Sequence, residues 1–264
     1  MRPRKQFAQH WLKSEKTLQE IIQAAVLKPE DEVLEIGAGT GILTHQLLAI
    51  AAKVIAVEID RDLFKKLSKK FQQENHLYLI EGDFLKLDLA ACVSQLPNKV
   101  VANIPYNITG PILEKLLGSI AQPQQQYEKI VLLVQKEIAE RICADSGSKT
   151  FGALSVRSQY LADCELISQV PAKAFSPPPK VDSAVISLIP RPFPLPVNSP
   201  QLLARLVQLG FANRRKMLRN NLKSIISPQE LQLILEQLEI NPLVRAEDIS
   251  VTNWVKLSNL IDGC

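Results

Sequence analysis

An α/β chain with a mostly parallel, doubly wound sheet and a small all-α segment after it is what the sequence predicts, on three observations. Short apolar runs of strand length alternate with helical patterns through the first two-thirds of the 264 residues. Those runs are near-continuous in apolar character, as expected of parallel strands covered on both faces. Beyond a proline-rich stretch, only helical spacing of apolar residues remains.

Taken in order, "EVLEI" leads into "TGILTHQLLAIA", and "KVIAVEI" into "RDLFKKLSKKF". "HLYLIEG" follows, then "KVVAN" before "GPILEKLLGSI" and "KIVLLVQ" before "KEIAERICA". Two further strand-like segments, "DCELISQV" and "DSAVISLI", are joined only by "PAKAFSPPPK", which predicts an antiparallel pair closing one edge of the sheet. Five prolines in "IPRPFPLPVNSP" make a stiff, extended connection. After it, "QLLARLVQLGFA", "RKMLRNNLKSI", "SPQELQLILEQL" and "VTNWVKLSNLI" read as helices, with Ser227-Pro228 as an N-cap and first helical residue. The expected division is a catalytic domain over 1–196 and a helical domain over 197–264.

Composition narrows the function classes. A hydrophobic fraction of 46% is enough for a packed core. Cys92, Cys143, Cys164 and Cys264 are scattered, with no C-x-x-C pair, and His10, His45 and His76 are equally dispersed. That pattern predicts reduced thiols in a cytoplasmic protein and no metal site. No apolar run reaches the length of a membrane span, so no membrane partner is expected. The net charge of +4 is mild, but Arg214, Arg215, Lys216, Arg219 and Lys223 fall in one acid-free stretch. Such a run is either a solvated face or a phosphate-contacting patch. Arg2, Arg4 and Lys5 add to the basic character.

Gly37, Gly39 and Gly41 form a G-x-G-x-G turn between the first strand and the first helix, with Glu35 before it. Glycines there permit tight backbone turns and close approach of a ligand. The last glycine falls one place early for the dinucleotide G-x-x-G spacing, and the loop resembles the first motif of S-adenosylmethionine-dependent methyltransferases. The cationic sulfonium and amine of that cofactor suit an electronegative lip. Glu58 ends the second strand about twenty residues on, where doubly wound folds place a carboxylate on ribose hydroxyls. Asp83 follows the third strand, either as a cap or, as the resemblance implies, as an acceptor for the cofactor's adenine amine.

The fourth strand stops at Asn103-Ile104-Pro105-Tyr106. An adenine amine is a poor nucleophile because its lone pair is delocalised into the ring. Two acceptors on its N–H bonds free that pair: the Asn103 side-chain oxygen and the backbone carbonyl of Ile104 or Pro105. Pro105 stiffens the turn, and Tyr106 offers a face for an extruded base. "NIPY" resembles the fourth motif of amino methyltransferases. With "FAQHWL", "LEIGAGTGILT", "VEID", "GDFLKLD", "QKEIAERI", "GALSV", "AFSPPPKVDSAV" and "NRRKMLRNNL", the chain resembles the KsgA/RsmA family of small-subunit rRNA adenine N6,N6-dimethyltransferases from Phe7 to Leu222.

That resemblance implies a Rossmann-like class I methyltransferase sheet and a small C-terminal all-α domain. It implies four methyl transfers from S-adenosyl-L-methionine onto two adjacent adenosines in the 3′-terminal hairpin of 16S rRNA, late in small-subunit assembly. The partner is then the small ribosomal subunit, met by a monomer. By position, His10 and Leu12 join Gly37, Gly39, Gly41, Glu58, Asp83 and Asn103 at the cofactor. Phe175 either closes on the target base or packs beneath its proline loop. Ala8, His10 and Trp11 depart from the family form F-G-Q-N-F-L, which has Gly, Asn and Phe there. Two other readings stay open: a large-subunit adenosine methyltransferase of the resistance type, and a non-catalytic assembly factor that binds RNA.

Overall fold

The structure is a computed structural model and describes residues 10–263. Arg2, Arg4 and Lys5 lie outside them. In chain order the elements are β1 (Trp11–Leu12), α1 (Glu15–Ala25), β2 (Glu32–Ile36), α2 (Ile42–Leu48), β3 (Lys53–Glu58), α3 (Arg61–Lys70), β4 (Leu77–Glu81), α4 (Leu89–Cys92) and β5 (Lys99–Asn103). Then follow α5 (Thr109–Leu117), β6 (Lys129–Gln135), α6 (Lys136–Ile142), α7 (Ala153–Leu161), β7 (Ala162–Val170), β8 (Phe175–Ser176) and β9 (Ser183–Pro190). The chain ends with α8 (Pro200–Gly210), α9 (Leu218–Asn221), α10 (Pro228–Gln237) and α11 (Val251–Asp262). Contacts divide it into two compact units. The first holds residues up to Leu116, Gln126–Ala139 and Glu165–Pro190; the second holds Leu117–Gln125, Glu140–Cys164 and residues from Arg191 onward.

The main sheet has the order β4-β3-β2-β5-β6-β9-β7. Its first five strands are parallel, so Ile36, Glu58 and Asn103 end at one edge of the sheet. β9 runs antiparallel beside β6, and β7 forms the outer edge next to β9. The two late segments thus close one edge as expected, with the later one on the inside. Val54, Ile55 and Ala56 are all fully buried, and successive strand residues point to opposite faces, so both faces are covered. On one face, Val33, Val54, Val101, Val131 and Val185 pack with Leu18 and Ile21 of α1 and Leu43 and Leu47 of α2. Helix α1 starts at Ser14, whose Oγ accepts from Thr17 N–H, and ends at Val26 in the left-handed region. A separate two-stranded ladder pairs β1 with β8, Trp11 opposite Ser176 and Leu12 opposite Phe175.

In the second unit, α7 packs on α8 and α11, and α10 on α9 and α11. Trp254 is fully buried there and meets Phe211 at 5.8 Å between ring centroids. Ser227 caps α10 in a reciprocal box with Glu230, and Pro228 takes the first turn, as the sequence predicts. The proline connection is tied down by Asn259, which accepts from Asn198 N–H and donates to the Pro196 carbonyl, each at 2.9 Å. One expected helix is nearly absent: "RKMLRNNLKSI" yields only the single turn α9. No side chain caps its start, and the Asn221 amide donates back to the carbonyls of Gly210 and Asn213, holding the preceding stretch as a loop.

Candidate active site

A cleft lies at the carboxyl ends of β2, β3 and β5, where open parallel sheets leave room between outgoing loops. Its lining brings together His10, Leu12, Gly37, Gly39, Glu58, Asn103, Ile104, Pro105 and Tyr106 from segments far apart in sequence. Trp11, Leu18, Glu35, Thr40, Ile59 and Leu63 also line it.

The glycine loop is shaped by its backbone. Gly37 has φ +76° and donates to the Val57 carbonyl at 2.8 Å, and Gly39 has φ +60° and donates to Glu58 Oε2 at 2.8 Å. Both conformations favour glycine. Glu58 also accepts from Asp60 N–H through Oε1 at 2.8 Å. Burial raises its pKa, against the pull of the Asp60 and Gly39 N–H groups. Each carboxylate oxygen keeps acceptor capacity beyond its one backbone bond.

Glu35 is 1% exposed, and its Oε2 is buried without a donor. Complete burial pushes its pKa up to about 8 against the pull of hydrogen bonds from Thr44, with the nearby Glu58 carboxylate adding to the rise. A carboxyl with one open oxygen, beside a second acid and a bare backbone loop, fits a ligand that carries hydroxyl and amino groups. The residues present therefore suit the cofactor the loop motif implies.

Asn103 is oriented by its amide nitrogen, which donates to the His10 carbonyl at 3.4 Å and leaves Oδ1 as the free acceptor. Of the two candidate backbone acceptors, Pro105 is engaged: its carbonyl takes Ile108 N–H at 3.3 Å. The Ile104 carbonyl takes none of the bonds of this turn and is left open. Tyr106 is fixed by a hydrogen bond between its hydroxyl and Ser183 on β9, and burial raises its pKa. The ring of His10 lies 6.0 Å from that of Tyr106, with 20° between planes.

Three expected site residues stand apart from this cleft. Gly41 begins α2 at φ +74°, and a Cβ there would meet Phe71 at 2.6 Å and Leu67 at 2.7 Å, so its task is close packing of α2 on α3. Asp83 accepts from Leu85 N–H at 3.0 Å and caps its own turn. That loop is pinned by Lys115, whose Nζ donates to the carbonyls of Phe84 and Leu87 at 2.6 and 2.5 Å. Of the two readings of Phe175, packing is the one its position favours: it is fully buried in the core, opposite Leu12 in the small ladder. The bulky apolar side chain gains more from the core than from a solvent-facing loop.

The basic stretch lies in the second unit. Arg214 is committed to structure: it pairs with Glu247 at 3.0 Å and donates to the carbonyls of Lys149 and Phe151 at 2.7 and 3.0 Å. Arg215, Lys216 and Lys223 are exposed and Arg219 is half-buried; none of the four has an ion pair among the described residues. Sequence reasoning passed over Ser183 and Pro177, whose contacts with Tyr106 and His10 join segments up to 167 residues apart. Among the described residues no group of side chains suits a metal ion, and no helix is long and apolar enough to cross a membrane.

Known proteins resemble this chain in sequence and in fold. The family model for ribosomal RNA adenine dimethylase matches residues 1–263. Ribosomal RNA small subunit methyltransferase A of Rippkaea orientalis is 61% identical, with 98% of each chain covered. The protein of that name from a Nostoc species is 60% identical, over 99% of this chain and 98% of the relative. Among solved structures, a dimethyladenosine transferase from Plasmodium falciparum aligns with a TM-score of 0.77 and 30% identity, covering 94% of this chain and 96% of that one. The 23S rRNA methyltransferase ErmE aligns with the same TM-score at 27% identity, covering 96% and 99%. With Asn103 and Tyr106 set beside the glycine loop on a class I methyltransferase sheet, the chain belongs to the ribosomal RNA adenine dimethylase family.

Proposed function

We propose that this protein transfers methyl groups from S-adenosyl-L-methionine to N6 of two adjacent adenosines in the 3′-terminal hairpin of 16S rRNA, late in small-subunit assembly. The observation that carries the reading is the free Asn103 Oδ1, oriented by the His10 carbonyl beside an open Ile104 carbonyl, on the wall of the cleft that holds Glu58. When bound, the cofactor supplies an electrophilic methyl group on a cationic sulfur. Gly37, Gly39 and Glu58 would hold its nucleoside part, Glu58 accepting from ribose hydroxyls. His10 and Leu12 wall the cleft. Gly41 supports the loop, and Asp83, on the turn after β4 and outside the cleft lining, would use its second carboxylate oxygen to accept from the cofactor's adenine amine.

On the substrate side, Asn103 Oδ1 and the Ile104 carbonyl accept the two N6–H bonds and draw the nitrogen toward tetrahedral geometry. Its lone pair then points at the methyl carbon, and positioning supplies most of the acceleration. Tyr106 stacks on the extruded base, and Pro105 keeps the turn rigid. The proton left on nitrogen after transfer is acidic and departs to water, so no strong base is needed. In the second round only one N–H remains, and one acceptor suffices to hold it. Arg215, Lys216, Arg219 and Lys223 would supply salt-sensitive contact with rRNA phosphates.

The test supplies labelled S-adenosylmethionine to under-methylated small subunits, to large subunits and to naked rRNA. Dimethyladenosine is expected in the small-subunit rRNA. Label confined to the large subunit would overturn the reading in favour of the ErmE-like activity.

A further inference from the structure

We propose that Lys115 is a positioning residue for the purine end of the cofactor: by gripping the turn after β4, it aims the Asp83 carboxylate at the 6-amino group. The inference rests on the reading above, that Asp83 accepts from that amine, and concerns what holds the carboxylate in place.

Lys115 lies on α5, 31 residues beyond Phe84 in the chain. Its Nζ meets three carbonyls of one turn, Leu87 at 2.5 Å, Phe84 at 2.6 Å and Leu85 at 3.4 Å. An ammonium has three donors and no acceptor, so three converging carbonyls match its full capacity. Among the described residues it has no carboxylate partner. The same Nζ stands 4.8 Å from the centre of the buried Phe84 ring. The charge is thus spent on the backbone of this turn.

The peptide groups pass that grip on to Asp83. The carbonyl of one residue and the N–H of the next belong to one planar unit and point in opposite directions. Between Phe84 and Leu85, the carbonyl is on Lys115 and the N–H donates to Asp83 Oδ1 at 3.0 Å. The next unit repeats the pattern: the Leu85 carbonyl is on Lys115, and Lys86 N–H donates to the Asp83 main-chain carbonyl at 2.9 Å. Two successive peptides therefore bridge ammonium and aspartate, and a cation on their carbonyls strengthens both N–H bonds. With Oδ1 held by Leu85, Oδ2 keeps its acceptor capacity for a ligand. Helix α5 is itself anchored to the catalytic turn, since Thr109 Oγ1 donates to the Tyr106 carbonyl at 3.2 Å. One short helix carries the Asn103–Tyr106 turn at its start and the clamp on the purine turn along its side.

Calorimetry on the full chain compares S-adenosylhomocysteine with S-inosylhomocysteine, whose 6-oxo group offers an acceptor where Asp83 needs a donor. The native protein is expected to prefer the amino ligand by about tenfold or more, the scale of a hydrogen bond to a charged group. Lys115→Met should lose most of that preference, weakening the amino ligand about tenfold and changing the oxo ligand by less than about twofold. Asp83→Asn, whose amide can donate to a 6-oxo group, should erase or reverse the preference. A merely structural Lys115 predicts a lower melting temperature with both ligands weakened equally. That result, or a native preference kept by Lys115→Met beside one lost in Asp83→Asn, would overturn the proposal. If the Met variant fails to fold, Lys115→Gln, too short to meet all three carbonyls, decides the same comparison. A native protein without preference, or an Asp83→Asn variant that keeps it, would overturn the reading of Asp83 and the proposal with it. A native protein that binds neither ligand would remove the cofactor reading itself, and the proposal with it.

Discussion

Asn103 concentrates the chemistry in one amide because its two ends have separate tasks. The nitrogen is spent on the His10 carbonyl, so the oxygen faces the cleft as an acceptor. Asn103→Ala removes that acceptor together with one weak, partly exposed hydrogen bond. Methyl transfer is expected to fall by about 10²–10³-fold, the usual scale for losing one group aimed at a reacting centre. Thermal melting should show a loss of about 1 kcal/mol or less; undiminished turnover would remove this mechanism. Glu35 makes a different prediction. Its carboxyl is held neutral up to about pH 8 in the folded protein, against an unperturbed value of 4.5. The native state therefore binds a proton that the unfolded chain has released, and stability falls as pH rises between those values. Melting curves of the cofactor-free protein should decline across that window, and Glu35→Gln should flatten the decline. A parallel decline in both proteins would show that Glu35 is not the group responsible.

At the level of elements, the basic stretch shows how local spacing and tertiary context diverge. Its sequence reads as a helix with a row of cations, yet it is a loop with one helical turn, and its first arginine is an internal clamp. The predicted division of labour follows from that placement. Removing Arg215 and Lys216 together should reduce the slope of log affinity against log salt for rRNA by about one unit per cation. Arg214→Ala should instead lower stability, seen in urea unfolding, because it leaves the Lys149 and Phe151 carbonyls and Glu247 without their donor. A salt slope reduced as much by Arg214→Ala as by the others would contradict this assignment.

Across the whole molecule, one buried ion pair ties distant segments of the first unit. Lys99 at the start of β5 pairs with Asp31 at 2.8 Å, their side chains 6% and 2% exposed, and also donates to the Val26 carbonyl at the end of α1 at 2.6 Å. Asp31 further accepts from the Asn98 amide and from Lys28 N–H. Burial alone would raise the Asp31 pKa, but Lys99, Asn98 and the Lys28 N–H hold it below its ordinary value. A depressed carboxylate contributes stability that is present above the unfolded pKa and lost as pH falls through the folded one. Asp31→Asn leaves a buried ammonium without its counter-charge and should cost about 3 kcal/mol. Its acid limb should also be flatter than that of the native protein. A midpoint of urea unfolding unchanged from the native protein would refute this.

The element order of the parallel strands was legible because each is an unbroken apolar run, and such runs need no knowledge of their neighbours. Helix α1 was not, because its apolar spacing sits in a charged, polar segment whose burial depends on a face supplied by β5, β6 and β9. The glycine loop, Glu58 and the Asn103–Tyr106 turn were fixed by residue type and spacing, since glycine, an acid at a strand end and an amide before proline each have few alternative uses. Only the tertiary structure decided which atoms are free. It spent the Pro105 carbonyl and the Arg214 guanidinium on local bonds, buried Phe175, left Glu35 Oε2 without a donor and set His10 against Tyr106. Those outcomes depend on partners brought together from across the chain, and hydrogen-bond capacity used at close range by one partner is not available to a ligand.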